Sequence, residues 1–208
     1  MYEDASSGYK IWFFRFNFPI GFKEVEGIHS RTDYDLKQHQ EFSKKKMQYF
    51  DNDMDPATGK PFGNYIPYVI ETSIGLDRMF LLVMSHAYTE EDLSTAEKQD
   101  SRVVLKIPAK LAPMKLAILP LVKKDGLPEI ARKIMDDCKS SFRCFYEEKD
   151  TIGKRYRRMD AIGTPFCVTV DQQTKLDHTV TIRHRDSMEQ ERIQIDHIRD
   201  RVLMAIAR

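Results

Sequence analysis

The chain has 208 residues, of which 41% are hydrophobic and 31% charged, a composition typical of a folded protein rather than a disordered or fibrous one. Its three cysteines, Cys138, Cys144 and Cys167, are odd in number and lack CxxC spacing, which argues against a disulfide framework and a zinc knuckle. The longest apolar runs reach about six residues, against the roughly 20 that a membrane helix needs. With an acidic rather than signal-like N-terminus, the sequence predicts a cytosolic protein without a membrane span.

The net charge of +1 hides an uneven distribution along the chain. Residues 1–101 hold 11 Lys and Arg against 17 Asp and Glu, whereas residues 102–208 hold 22 against 15. Halves of opposite sign favour two units with different partners, the basic one facing a polyanion. We therefore expect one domain over 1–101, ending in a polar linker over 89–101, and a second over 102–208.

The first half mixes aromatic strands with polar helices and loops. Its predicted elements are strands over 11–18 and 22–28, an exposed helix beginning near Thr32 or Asp33, a loop or hairpin over 51–64, a strand over 65–70 and a helix over 76–88.

The second half alternates strands with helices, a pattern typical of a sheet covered by helices. The predicted strands are 116–121, 142–146, 166–170 and 178–184; the predicted helices begin near Gly126, near Thr151 and at Ser187. Ser187 and Gln190 form a capping-box signal, and Ile195, Ile198, Val202 and Ile206 follow at helical spacing.

The segment YVIETSIGLDR, residues 68–78, carries the most informative polar groups. Glu71 follows an apolar strand, where an ionised carboxylate needs a cation such as a substrate ammonium. Gly75 has no Cβ, so a ligand can approach its backbone closely. Arg78 lies at a helix start, where a cation is favourable only beside an anion. A phosphate suits this position, because the guanidinium can donate two parallel hydrogen bonds to its oxygens. The alternative is a structural ion pair between Glu71 and Arg78.

Glu24 and Glu26 alternate along the second predicted strand and should share one face. Two adjacent carboxylates favour a cation, and Mg²⁺ bridging to a phosphate would provide one. The alternative is an exposed polar strand face.

A basic run occupies the middle helix of the second half. Cations with an aromatic among them are typical of a surface that follows phosphates and stacks on a base. The candidate nucleic-acid contacts are Lys154, Arg155, Tyr156, Arg157 and Arg158, with Arg143 nearby. The alternative is a solvated helix face.

Five segments in order resemble one family: EVEGIHSRTDYDLKQH, YIPYVIETSIGLDR, KLAPMKLAILPLVKKDGL, IGKRYRRMDAIGTPFCVTVD and TVTIRHRDSMEQERI. They are similar to the C-terminal part of dimeric, class II glycyl-tRNA synthetases. The resemblance implies an α/β chain, in which the remnant of an antiparallel catalytic sheet is followed by a mixed-sheet anticodon-binding domain. It also implies ATP and Mg²⁺ as cofactors, glycine and tRNA(Gly) as partners, and a homodimer in the full-length protein.

The resemblance assigns residues as follows. The ATP contacts would be Glu24, Val25, Gly75, Leu76, Asp77 and Arg78, with Glu24 also meeting the Mg²⁺ that accompanies ATP. The glycine contacts would be Glu71, Thr72, Ser73, Ile74 and Gly75, although the family more often has Pro where this chain has Thr72. The implied reaction is attack of the glycine carboxylate on the α-phosphate, promoted by positioning and charge neutralisation rather than by a catalytic side-chain base.

Two motifs of the family have no counterpart in these 208 residues: the dimer-forming strand and helix, and the hairpin that clamps ATP. We therefore expect a fragment that does not activate glycine alone, so that glycine-dependent exchange between ATP and pyrophosphate is undetectable. Robust exchange by residues 1–208 would contradict this expectation. The rival hypothesis is a non-enzymatic nucleic-acid-binding protein that reuses the fold; Glu71, Ser73 and Arg78 disfavour it, because a pure binding protein has no use for a charged glycine and ATP pocket.

Overall fold

A computed structural model of the chain describes residues 2–4 and 9–207. The chain forms two compact units, Met1–Leu82 and Val83–Arg208, each with its own sheet. The predicted fold class is confirmed, since an antiparallel sheet comes first and a mixed sheet with helices follows.

The first unit is built on a four-stranded antiparallel sheet of order β1-β2-β3-β6. Its strands are β1 (Tyr2–Asp4), β2 (Tyr9–Phe18), β3 (Gly21–Thr32) and β6 (Val69–Ile74). Helix α1 (Tyr34–Ser43) follows β3, the hairpin β4 (Tyr49–Met54) and β5 (Pro61–Tyr65) comes next, and helix α2 (Leu76–Ala87) follows β6. Both predicted helices and the hairpin are confirmed.

The predicted strand over 65–70 is displaced toward the C-terminus. Tyr65 ends β5, residues 66–68 belong to no strand, and β6 begins at Val69. Pro67 lies in the gap; a proline cannot donate a ladder hydrogen bond and interrupts a strand. The displacement puts Glu71 within β6 instead of after its end.

The predicted linker over 89–101 is wrong for its first residues. Strand β7 (Tyr88–Asp92) pairs antiparallel with β8 (Ser101–Leu105), so that only 93–100 remains a connecting loop. The compact units divide between Leu82 and Val83 rather than after Ser101. Polar composition suggested a solvated linker, but the buried guanidinium of Arg102, a residue beyond that segment, meets the Glu91 carboxylate.

The second unit is a five-stranded sheet of order β10-β9-β11-β12-β13. Strands β10 (Cys144–Tyr146), β9 (Leu116–Pro120) and β11 (Phe166–Val170) are parallel, while β12 (Thr179–His184) and β13 (Gln190–Gln194) continue antiparallel. Helices α3 (Leu127–Cys138), α4 (Ile152–Ala161), the short α5 (Thr174–Asp177) and α6 (Ile198–Ala207) connect or follow these strands. The predicted strand–helix alternation is confirmed.

The predicted helix start at Ser187 is wrong. Residues after His184 turn into β13, in which Gln190 pairs with Arg183, and α6 begins only at Ile198 after a 3₁₀ turn over Ile195–His197. Met188 has a φ of 59°, which a helix cannot continue through. The capping-box signal is local, and strand pairing across the turn overrides it. The apolar stripe survives: Ile198 and Val202 are buried, and Ile195 and Ile206 pack against the same core.

The core of the second unit lies on both faces of its sheet. Leu116 and Ile118 join α3 and α6 on one face, whereas Ala117 and Leu119 meet α4 on the other, as the two-residue period of a strand requires. In the first unit, by contrast, the buried hydrophobic side chains among the described residues are Phe18 and Val25. The well-packed part of the second unit is therefore the centre of its sheet, strands β9 and β11, which are covered on both faces.

Candidate functional site

The motif around Glu71 lies directly beside the paired-carboxylate segment. In the β3–β6 ladder, His29 pairs with Glu71, Gly27 with Ser73 and Glu26 with Ile74. The antiparallel register therefore brings together the two segments to which the resemblance assigned ATP and glycine. They are about 45 residues apart in sequence, and only the ladder shows that they are neighbours.

Arg78 lies in the first turn of α2 and points to β3. Its Nη1 donates a hydrogen bond to the backbone oxygen of Glu24 at 2.7 Å, and the side chain is otherwise exposed. This bond fixes one end of the guanidinium and leaves the remaining N–H groups for an external anion. The predicted structural alternative, an ion pair between Glu71 and Arg78, is not what the structure shows.

Glu71 contacts a different arginine, Arg31. The Glu71 Oε2 lies 3.4 Å from Arg31 Nε, and the same guanidinium donates two hydrogen bonds to Asp35, at 2.7 and 3.1 Å. The Glu71 side chain is 46% exposed, so the expectation of a carboxylate desolvated at a buried strand end is wrong. Sequence reasoning missed Arg31, because its contact with Glu71 depends on the pairing of β3 with β6 and has no local sequence signal.

The backbone at Gly75 is unstrained. Its carbonyl accepts the first helical hydrogen bond, from Met79 N at 2.9 Å, and an added Cβ would meet only Arg78 Cβ at 3.6 Å, an ordinary contact. Leu76 and Asp77 are exposed beside it, as are Thr72, Ser73 and Ile74 on β6. Internal packing therefore does not require a glycine here, which keeps a ligand as a reason for it.

The β2–β3 ladder is irregular at Val25. Phe14 pairs with Glu26 and Arg15 with Glu24, so Val25 has no partner and forms a bulge that breaks the alternation predicted for Glu24 and Glu26. The Val25 side chain is buried, which restricts any ligand contact of this residue to its backbone. Among residues 2–4 and 9–207, no three His, Cys, Asp or Glu side chains are placed to hold a metal ion by themselves.

The basic run of the second unit is divided between buried and solvent-accessible side chains. Arg155 is only 2% exposed and donates to three backbone oxygens, so the prediction that it contacts tRNA is wrong. Tyr156 packs in the core and its hydroxyl hydrogen-bonds Thr169 at 2.5 Å, with the Arg183 guanidinium 4.8 Å from its ring. Burial raises the Tyr156 pKa. Because the ring packs against the core and the Arg183 guanidinium lies over it, Tyr156 is not presented as an open surface for base stacking.

Two further arginines of the run bind carboxylates of the chain itself. Arg157 meets Asp100 at 2.9 Å, and Arg158 meets Asp150 at 2.9 Å and Glu147 at 3.3 Å. The bond from Arg158 lowers the Asp150 pKa. Lys154 and Arg143, the other predicted contacts, are exposed. The spacing of these residues along the helix does not reveal the carboxylates that lie beside them, so it could not separate the paired arginines from the exposed cations.

The carboxyl ends of β9, β10 and β11 form an edge that sequence reasoning did not single out. In a parallel sheet with helices on both faces, this edge is where ligands bind, at the strand pair from which the connections diverge. We call the three loops that follow these strands, 121–126, 147–151 and 171–178, the carboxyl edge. The diverging pair is β9 and β11, because β9 leads to β10 on one side while β11 leads to β12 on the other.

The charges of the carboxyl edge are arranged asymmetrically. Its acidic side chains accept bonds from the chain: Asp125 from Gln172, Asp150 from Arg158, Asp171 from Arg192, and Asp177 from Gln173 and Thr179. The bonds from Gln173 and Thr179 lower the Asp177 pKa to about 2. The lysines of the edge, by contrast, are exposed: Lys123, Lys124, Lys149 and Lys175. Asp150 and Asp171 are thus paired with arginines, Asp125 and Asp177 accept bonds from neutral groups, and the lysine ammonium groups face solvent.

A cavity of about 500 Å³ opens on the α3 side of this edge. Its lining mixes apolar and polar side chains and includes Ile130, Lys133, Asp137, His178, Gln194 and Ile195. A cavity of this size and mixed lining is within the range that binds small organic groups.

The longest helices described, α2 and α3, have 12 residues each, and no described helix is long and apolar enough to cross a lipid bilayer.

Known proteins resemble this chain over most of its length. Residues 115–204 match the family described as anticodon binding domain. Glycine–tRNA ligases of Treponema denticola and Borrelia hermsii are each 51% identical to it, over 86% and 88% of the chain, and that of Agathobacter rectalis is 49% identical over 88%. The chain spans 38%, 39% and 37% of the lengths of these relatives. Over most of its own length the chain is therefore similar to part of the glycine–tRNA ligases, and residues 115–204 are similar to the anticodon binding domain family.

Proposed function

We propose that the second unit binds the anticodon region of tRNA(Gly) at the carboxyl edge. The observation that carries this proposal is the charge arrangement there, with Lys123, Lys124, Lys149 and Lys175 exposed while the neighbouring carboxylates are bonded within the chain. Exposed cations follow a phosphate backbone, and an unstacked base can enter the adjoining cavity. The match to the anticodon-binding family supports the same partner.

Neutralising two of these lysines tests the location. We expect Lys123→Gln with Lys124→Gln to weaken tRNA(Gly) binding and to flatten the plot of log affinity against log salt by about 0.7 for each phosphate that the variant no longer neutralises. Binding titrations of the whole chain at several salt concentrations measure both quantities. The matched control is Lys110→Gln with Lys139→Gln, two exposed lysines near the amino ends of the strands. If the salt slope fell equally in both double variants, the carboxyl edge would not be the tRNA-binding site.

We further propose that the first unit contributes to the glycine and ATP site of a complete glycine–tRNA ligase, which attaches glycine to tRNA through glycyl-adenylate and acts as a homodimer. Arg78 would hold the ATP phosphates with the N–H groups not committed to the Glu24 carbonyl. Glu71 and Ser73 would receive the glycine ammonium, for which Glu71 must share its carboxylate with Arg31. Glu24, beside Arg78, would meet Mg²⁺, which neutralises part of the phosphate charge when bound.

Removing the Arg78 guanidinium tests the nucleotide assignment. In a complete ligase polypeptide that carries this chain, Arg78→Ala should lower glycine-dependent exchange between ATP and pyrophosphate on the order of 10²–10³-fold, because a preorganised donor to developing charge is removed. Arg78→Lys keeps the charge without the fork and should recover only part of the rate. Lys45→Ala, an exposed cation after α1, is the control and should leave the rate unchanged. Full activity of Arg78→Ala would contradict the assignment of Arg78 to the ATP phosphates.

A further inference from the structure

Arg155 joins the roots of two loops at the carboxyl edge. Its Nη1 donates to Pro120 O at 2.6 Å and to Glu147 O at 3.2 Å, and its Nη2 donates to Leu121 O at 3.2 Å. Pro120 is the last residue of β9, Leu121 begins loop 121–126, and Glu147 begins loop 147–151. One guanidinium on α4 therefore bonds the chain at the ends of two neighbouring parallel strands.

These three carbonyls lie at the end of the hydrogen-bond ladder between the strands. The amide groups beside them still have sheet partners, since Leu121 N donates to Val170 O at 2.8 Å and Glu147 N to Ile118 O at 3.3 Å. A buried backbone carbonyl left without a donor is unfavourable, and an arginine supplies five N–H groups in a fixed plane. Arg155 is buried, with Nε unpartnered among the described residues, so its guanidinium cannot reach a phosphate as well.

We propose that Arg155 is a positioning residue for tRNA binding, holding loops 121–126 and 147–151 in the arrangement that presents Lys123, Lys124 and Lys149. This inference rests on the proposed binding of tRNA at the carboxyl edge. It replaces the direct phosphate contact predicted from the sequence with an indirect role. A chain with free loops would spend only part of its time in the binding arrangement, and its apparent affinity would fall by that fraction.

The test compares Arg155→Met with Arg157→Met in the whole chain. Both remove one positive charge from α4, but Arg157 bonds Asp100 instead of the loop carbonyls. We expect Arg155→Met to raise the Kd for tRNA(Gly) by about tenfold, as for loops that adopt the binding arrangement one tenth of the time. The salt slope should stay at the parental value, and amide hydrogen exchange should accelerate in both loops. Arg157→Met should change the Kd by less than about twofold, as expected for an exposed ion pair.

Two results with Arg155→Met would contradict the proposal. A reduced salt slope in Arg155→Met, like that of the Lys123 and Lys124 variant, would mean a direct phosphate contact. Faster loop exchange with unchanged affinity would mean a structural role only. If Arg155→Met does not fold, Arg155→Lys, which cannot reach all three carbonyls, should show the same pattern more weakly, and parental affinity with parental exchange would refute the role. If the parental chain itself binds no tRNA, the proposed function fails, whereas the loop exchange still reports whether Arg155 holds the loops.

Discussion

Replacing Asp160 with alanine lowers the free energy of unfolding of the second unit by about 3–5 kcal/mol, because breaking a buried ion pair leaves an uncompensated charge. The Asp160 side chain is 0% exposed and lies between two buried arginines. Arg183 donates to it at 2.8 and 3.0 Å, and Arg102 at 3.2 Å. Arg102 also bonds Glu91 and the backbone oxygen of Arg185, so the cluster ties the β7–β8 hairpin to α4 and β12.

Amide hydrogen exchange of the central strands β9 and β11 measures this change, since the slowest amides report global unfolding of their unit. Asp160→Asn keeps the shape and one acceptor and should fall between alanine and the parental chain. The control is Asp136→Ala, which removes an exposed carboxylate 2.6 Å from Lys139 and should cost less than about 1 kcal/mol. An equally small effect of Asp160→Ala would show that the two guanidinium groups find water or another partner.

Replacing Gly163 with alanine should lower the free energy of unfolding of the same unit by about 2–5 kcal/mol, adding a left-handed backbone penalty to an overpacking penalty. Gly163 has a φ of 81°, and an added Cβ would lie 3.0 Å from the Leu105 carbonyl oxygen and 2.9 Å from Ile107 Cδ1. The side chain of Ile107 can shift, but the Leu105 backbone is held in β8.

Gly126 provides the matched control for this substitution. It has a φ of 78° and nothing within 4 Å of an added Cβ, so alanine there meets the backbone penalty alone, about 1–2 kcal/mol. The difference between the two variants, measured by exchange of the β9 and β11 amides, isolates the steric contribution. Equal destabilisation by both would mean that the β8 segment relaxes away from residue 163 without cost.

The burial of Arg155 shows why a run of basic residues is difficult to interpret from sequence. The spacing in α4 is compatible with a solvent-facing basic stripe, and the composition fits nucleic-acid binding. The fold divides the four cations among three environments: Arg155 is buried against carbonyls, Arg157 and Arg158 are paired with carboxylates, and Lys154 is exposed. The carbonyls and carboxylates that decide this lie between 8 and 57 residues away in sequence, outside α4 itself.

The charge of Glu71 is a second example. Its apolar neighbours on β6 predicted desolvation, which holds for a strand covered on both faces. In the first unit, Ile70 and Ile74 are themselves 65% and 50% exposed, so the carboxylate keeps access to water. An exposed carboxylate does not require a charged partner, and in this structure the cation that Glu71 contacts is Arg31.

Local chemistry in the sequence was sufficient to determine the fold class, the strands β9 and β11, the helices α1 to α4 and the similarity to glycyl-tRNA synthetases. Those features depend on hydrophobic period, proline and glycine positions, and segment order, all of which act over a few residues. Tertiary structure alone decided that 88–105 forms a hairpin, that residues after His184 form a strand, and which cations face solvent. Each of these outcomes depends on a hydrogen-bond or charge partner that folding brings near. The free energy of interaction with that partner exceeds the intrinsic helix, strand or loop preference of the local segment.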